Sequence, residues 1–291
     1  MPQEEAYEKI SSTAKLVAHV RTLTDIPFAK DIASASGAEK DFQTIAGTSA
    51  ESMSQFAFLW EARYKATDRI IAQYGVRQVL EIAAGLSPRG LAMTESPNVV
   101  YVATDLPQIL EEEEAIAQSI LAKLHVRRPN LHFTVANALD RASLLQAATP
   151  FQLGKPVAVI TEGLFFYLTR DEQETLAGNI RDLLALHGGL WISPDVTTKQ
   201  PVKLFSEKYD TMRQWIQHIT GATGRDIEGD AFEDENDVRQ FFTAVGFAIE
   251  EFSHSNVLED LSSVKLAKLS REEIVAILRT IKTLILTIRS G

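Results

Sequence analysis

Gly85, in the small-residue turn Ala83-Ala84-Gly85, and Asp105, about 20 residues further on, are the first residues in the chain whose types and spacing point to chemistry. A glycine turn after a short apolar run lets the backbone bend sharply and a ligand approach closely. An acidic residue at that distance, at the end of a second apolar run, is placed to accept both hydroxyls of a ribose. Together they point to a nucleoside-bearing ligand. Small residues at 83–85 also suit simple packing, and the turn alone does not separate the two uses.

The turn chemistry narrows the nucleoside. A dinucleotide site needs G-x-G-x-x-G with a helix amino end aimed at a pyrophosphate. Here Ala83 takes the first glycine position, Gly85 the second, and Leu86-Ser87-Pro88-Arg89 follows. Pro88 shortens or delays the helix, which a ligand without phosphate tolerates better. S-adenosylmethionine is such a ligand, with its ribose, adenine and charged amino acid tail. A nicotinamide-dependent oxidoreductase is disfavoured by the same residues and by the lack of a Tyr-x-x-x-Lys relay.

The elements that must position these groups alternate along the chain. Residues 79–82, with Glu81, form a first predicted strand, and 99–103 a second that leads to Asp105 and Leu106. Residues 108–124 form a helix whose acidic run, Glu111 to Glu114, reads as a solvated face. A third strand, 131–136, leads to Asn137 and Ala138, where the backbone and the amide can bond an adenine edge. A fourth, 157–161, ends at Glu162-Gly163 and continues as Leu164-Phe165-Phe166-Tyr167-Leu168. Phe165 and Phe166 read as core, whereas the polar tip of Tyr167 needs a partner.

Further along, Thr169 and Glu172 form a capping box for a helix at 171–186, and 190–193 is a fifth strand running into Asp195. Helices at 203–219 and 235–244, a sixth strand at 247–252 and a closing amphipathic helix at 270–288 follow. The closing helix carries the box Ser270-x-x-Glu273. Before the first strand, Ser12-Thr13 caps a helix from 14 to about 23, a short helix covers 28–35, and helical signals continue to 74, notably over 56–74. Parallel strands alternating with helices predict a doubly wound α/β fold with a mostly parallel sheet. The expected division is one domain over 1–291, with a helical amino-terminal lid at 1–75, an α/β core at 76–256 and a helical segment at 257–291. Charges on the lid, Lys15, Arg21 and Arg63 among them, are of the kind usually left in solvent.

Composition limits the partners. The 291 residues are 45% hydrophobic and 23% charged, with a formal net charge of −10. That charge disfavours nucleic acid and anionic membranes, both of which need a basic face. There is no cysteine, so disulfides, thiolate metal sites and a cysteine nucleophile are excluded, and a reducing cytoplasm is the expected location. The acidic start MPQEEAYEKI does not read as a signal peptide, and no run has the length of a membrane helix. The six histidines are scattered without metal-ligand spacing, so no metal is expected.

Taken together, ISSTAKLVAHVRTLTDIPFA, VLEIAAGLSPRG, VYVATDLP and VITEGLFFYLTRDEQ resemble the leucine carboxyl methyltransferase family, over roughly residues 10 to 195. The pattern T-E-G-L-x-x-Y-L after the fourth strand is its most specific part. This resemblance implies a class I, Rossmann-like methyltransferase that uses S-adenosylmethionine, with a carboxylate or hydroxyl oxygen as acceptor. It implies that Lys15 and Arg63 contact the cofactor's carboxylate end, that Gly85 belongs to the first motif and that Asp105 is the ribose acid. Glu162 matches the acid after the fourth strand. Glu81, Ala83, Leu106, Asn137 and Ala138 complete the expected cofactor set. Two features depart from the family: Asn137 stands where an aspartate is usual, and Ala83, Ser87, Pro88 and Arg89 occupy a turn that commonly reads G-x-G-x-D-T-R.

The expected partner is a small-molecule acceptor. A carboxylic acid is already ionised at neutral pH and needs no base, and no histidine sits at a strand end within these motifs. Carboxylate methylation is therefore expected, with Tyr167 orienting the acceptor. A hydroxyl acceptor, and a catalytically silent S-adenosylmethionine-binding partner protein, remain as alternatives.

Overall fold

Neighbouring residues of the central strands enter different cores. Val79 of β1 (Gln78–Ile82), Ala158 and Ile160 of β4 (Val157–Thr161), and Leu190 and Ile192 of β5 (Gly189–Ser193) belong to one core. Leu80, Ile82, Val157, Val159 and Trp191 belong to another. A strand buried on both faces has no polar side, which explains the continuous apolar runs in the sequence. The helix Ala57–Tyr74 covers the first face through Phe58, Ala62, Ala66 and Ile70, and Arg170–His187 covers the second through Leu176, Ile180 and Leu183. The computed structural model describes residues 13–40, 42 and 53–289, so Ser12 and the acidic amino end lie outside the described residues.

The seven-stranded sheet has the order β3-β2-β1-β4-β5-β7-β6, with β2 at Val100–Asp105, β3 at Leu131–Val135, β6 at Phe247–Ser253 and β7 at Lys282–Ile288. The five strands from β3 to β5 are parallel, as expected of a doubly wound fold. The chain reverses its direction of travel across the sheet between β1 and β4, where such folds leave a crevice at the strand carboxyl ends. Register sets what meets there. Ile82 lies opposite Thr104 on one side and Thr161 on the other, so Ala83, Asp105 and Glu162 leave the sheet at one level.

Local signals account for the helix starts. Both capping boxes form: Thr169 Oγ1 accepts from the Glu172 amide at 3.4 Å and Ser270 Oγ from the Glu273 amide at 3.2 Å, each glutamate answering to the cap's own N–H. Pro88 precedes a helix of only five residues, Arg89–Met93. Among the described residues no helix is long and apolar enough to cross a membrane.

Three expectations are corrected. The closing helix ends at Thr280, and 282–288 form β7, inserted antiparallel between β5 and β6, so 257–291 is not a helical segment. The run Thr283-Leu-Ile-Leu-Thr-Ile288 is rich in β-branched residues and has no polar face; Ile285 fills one core while Leu284 and Leu286 fill the other. The helix expected at 203–219 is two, Lys199–Lys208 and Asp210–Thr223, with Tyr209 extended between them and its ring 5.1 Å from that of Phe56. Glu113, within the supposedly solvated acidic run, is buried in the small gap lined by Leu86, Leu91, Ile116 and Phe133.

Candidate functional site

The turn after β1 takes the shape a glycine motif would give it. Ala83 holds φ 55° and Gly85 φ 61°, both in the left-handed region. For Ala83 that conformation costs roughly 1–2 kcal/mol, offset by the Ala84 amide, which donates to the Thr104 carbonyl at 2.9 Å. A Cβ on Gly85 would stand 3.1 Å from Cβ of Ala14 on the helix at 13–21, so a side chain there would press on that helix as well as strain a left-handed backbone.

Asp105 closes the turn. Its Oδ2 accepts the Gly85 amide and its Oδ1 the Leu106 amide, each at 2.8 Å. Each oxygen keeps a second lone pair for a ligand hydroxyl. Burial pushes the Asp105 carboxyl up to about 6, against the pull of the two amides.

A cleft with an internal volume of about 140 Å³ opens beside these groups, and Thr13, Ala83, Gly85, Asp105, Leu106, Asn137, Ala138, Glu162 and Tyr167 line it together with Arg21, Arg63, Trp60 and Trp215. Asp105 pairs with Val135 in register, which brings Ala136, Asn137 and Ala138 to the same rim. Asn137 Oδ1 accepts from the Leu139 amide at 2.9 Å and its own N–H donates to Ser143 Oγ at 3.1 Å, so the amide shapes the rim first. Tyr167 OH donates to Thr13 Oγ1 at 3.3 Å, and burial raises the phenol to about 12, leaving it a neutral donor over the working pH range.

Glu162 anchors the far wall. Oε1 accepts from Arg21 Nη2 at 2.8 Å and from Arg63 Nε at 3.2 Å, and Oε2 from Arg89 Nη2 at 2.7 Å. Three guanidinium groups hold its carboxyl far below the usual range despite burial. Arg89, itself wholly buried, also donates through Nε to Asp68 at 2.8 Å and through Nη1 to Glu81, and it stacks 4.2 Å above the Tyr64 ring. Glu81 takes the Tyr101 hydroxyl on its other oxygen.

Sequence expectation and placement differ in places. Glu81 does not line the cleft; it lies beneath it as the counter-ion of Arg89. Lys15 is outside the lining too, with Nζ 3.3 Å from Glu112 Oε1 on the helix Pro107–Lys123. Arg21, six residues later on the same helix, enters the cleft instead. Its Nε is buried without a hydrogen-bond partner among the described residues. Phe165 is core, ringed by Trp191, Phe232 and Phe242, but Phe166, also expected in the core, is half-buried and lines the cleft. Asp195 accepts the Leu164 and Phe165 amides at 2.7 Å and Ser193 Oγ at 3.0 Å, which pins the turn carrying Phe166 and Tyr167.

These groups fit a nucleoside with a charged tail. An acid with two free lone pairs sits beside a tight glycine turn, and the guanidinium-bearing residues Arg21 and Arg63 line the same cleft. Among the described residues no three His, Asp or Glu gather as a metal site.

Comparison with known proteins agrees with this geometry. The model of the leucine carboxyl methyltransferase family matches residues 11–181. A relative from Mycolicibacterium smegmatis, a putative S-adenosyl-L-methionine-dependent methyltransferase, is 30% identical over 140 residues, 48% of this chain and 46% of that protein. One of the same description from Mycobacterium sp. (strain KMS) is 29% identical over 240 residues, 72% of this chain and 75% of its own length. The alignment with the first thus takes in about half of that relative. Among solved structures, a DUF574 family protein from Streptomyces avermitilis superposes with TM-score 0.56 at 16% identity, covering 96% of this chain and 97% of its own. A putative methyltransferase from Thermobifida fusca gives TM-score 0.56 at 13% identity, covering 96% and 94%. At such identities these two share the fold.

Proposed function

The chain belongs to the leucine carboxyl methyltransferase family, and we propose that it is an S-adenosylmethionine-dependent O-methyltransferase forming a methyl ester on a carboxylate of a small molecule. The closed Gly85–Asp105 turn carries this reading, because it offers two acceptor lone pairs to a ribose at the switch point of the sheet. When bound, S-adenosylmethionine supplies a sulfonium methyl: a carboxylate oxygen forms the new O–C bond, the S–C pair returns to sulfur, and no proton has to move.

The residues of the chain then do three things. Asp105 accepts the ribose hydroxyls, while Asn137 and Ala138 border the base. Arg21 holds the carboxylate of the tail, with Glu162 keeping its guanidinium group and that of Arg63 in place. Thr13 fixes the hydroxyl of Tyr167, so the ring orients the acceptor and takes no proton. Positioning of this kind can supply roughly 7–11 kcal/mol of a displacement barrier. The helix at 13–21 acts as a lid over the cleft, admitting ligand when Arg21 releases Glu162. The test is calorimetry with S-adenosylmethionine and with NAD, followed by methyl transfer from labelled S-adenosylmethionine to a set of carboxylic acids. Tighter binding of NAD, or transfer only to alcohols, would overturn the proposal.

A further inference from the structure

A second cavity, of about 230 Å³, lies behind the first. Arg63, Phe166 and Trp215 belong to both linings, so these three side chains are the wall between them. The wall is fixed from outside, since Trp60 meets Trp215 edge-on with ring centroids 5.6 Å apart, and Phe166 lies 4.3 Å from the Tyr167 ring.

The body of this chamber is apolar. Leu59, Val202, Phe205, Ile216 and Val238 line it, drawn from four different helices. Its charged residues are largely committed. Asp195 is taken by two amides and a hydroxyl, and Glu235 pairs with Lys282 at 3.2 Å. At the wall the situation differs. Arg63 spends only Nε on Glu162, leaving its terminal nitrogens without a partner among the described residues. Trp215 Nε1 is buried and likewise unpartnered there. A buried donor left unmade is costly, so the Trp215 indole N–H beside the unpaired end of the Arg63 guanidinium marks a place where a ligand acceptor belongs.

We propose that this chamber seats the body of the methyl acceptor, and that the acceptor is an apolar aryl or branched-alkyl carboxylic acid whose carboxylate meets Arg63 and Trp215 Nε1–H at the wall. The proposal rests on the methyltransferase reading, which makes the cleft on the other side of the wall the cofactor's. A short, polar dicarboxylate fits it badly, because its second charge would be stranded among apolar side chains.

Calorimetry on the full chain saturated with S-adenosylhomocysteine tests this with 2-naphthoate and succinate as probes. Naphthoate should bind at least tenfold tighter than succinate. Ile216→Trp, which fills the chamber, should weaken naphthoate at least tenfold and leave S-adenosylhomocysteine within twofold. Trp215→Phe keeps an aromatic ring and removes the donor; it should weaken naphthoate about fivefold relative to 2-methylnaphthalene, which has no acceptor oxygen. Equal binding of the two acids, or naphthoate binding indifferent to both substitutions in folded protein, would overturn the acceptor chamber. Failure of the unmodified chain to bind S-adenosylhomocysteine would instead overturn the methyltransferase reading.

Discussion

Arg21 Nη2 donates to Glu162 Oε1 at 2.8 Å, across 141 positions of sequence, and so ties the helix at 13–21 to the end of β4. The same helix directs Lys15 to Glu112, away from the cleft lining. Arg21→Ala should therefore weaken S-adenosylhomocysteine binding by roughly 10- to 150-fold, the ~1.5–3 kcal/mol of a hydrogen bond to a charged group. Lys15→Ala should change it less than twofold. Amide exchange across 13–36 should slow when the ligand is added, and equal rates with and without it would remove the lid.

Asp105→Ala should reduce cofactor affinity by a similar 10- to 150-fold in a folded protein. The pH dependence has a definite sign. With its carboxyl raised to about 6 in the free protein, Asp105 is protonated below that value and loses a ribose acceptor. Affinity should fall about tenfold per pH unit below 6 and level off above it. Calorimetry from pH 5 to 8 would show the break, and Asp105→Asn should erase it.

At saturating substrate the rate should be nearly flat from pH ~6.5 to ~9, because an ionised carboxylate needs no base. Among the described residues no histidine lines either cavity, and His254 is buried with its ring nitrogen 2.9 Å from Thr283 Oγ1. Tyr167→Phe should raise KM for the acceptor more than it lowers kcat. A tenfold rise per pH unit, abolished in that variant, would mean a phenolate base and a hydroxyl acceptor.

Glu113 is buried, its Oε2 has no partner among the described residues, and burial together with Glu81 and Asp105 holds its carboxyl well above the ordinary value. In the folded protein it keeps a proton that the unfolded chain releases near pH 4.5, so its contribution to stability falls as pH rises. Glu113→Gln should flatten that decline, and Glu113→Leu should raise the melting temperature at pH 8 more than at pH 5. Thermal scans at both pH values give the answer.

What could be read from sequence was local. Gly85 and Asp105 announce themselves through a spacing that a strand–helix–strand unit imposes, and both capping boxes lie within four residues. Arg89 and Arg21 are not legible as parts of the site because Glu162, which both engage, lies 73 and 141 positions away. One signal was present for Arg89, an arginine beside a helix-shortening proline with two glutamates, Glu81 and Glu162, at strand ends. Glu113 misled through its acidic neighbours, although it shares a helical stripe with Leu110, Ala117 and Ile120, all buried. For 282–288 the period is ambiguous, since a short apolar run reads equally as buried helix or strand. Only the slot between β5 and β6 decides it.

That slot has a consequence for how the protein is made. Among the described residues β7 is the only neighbour of β6, and it covers the outer edge of β5. On the ribosome, the five parallel strands emerge first, and β6 emerges about thirty residues before the strand that joins it to them. Throughout that interval β5 presents a row of unpaired amides and carbonyls beside Trp191 and Ile192, a ready template for another nascent chain. The demand for a holdase chaperone should therefore peak late in synthesis and end when 282–288 clear the exit tunnel.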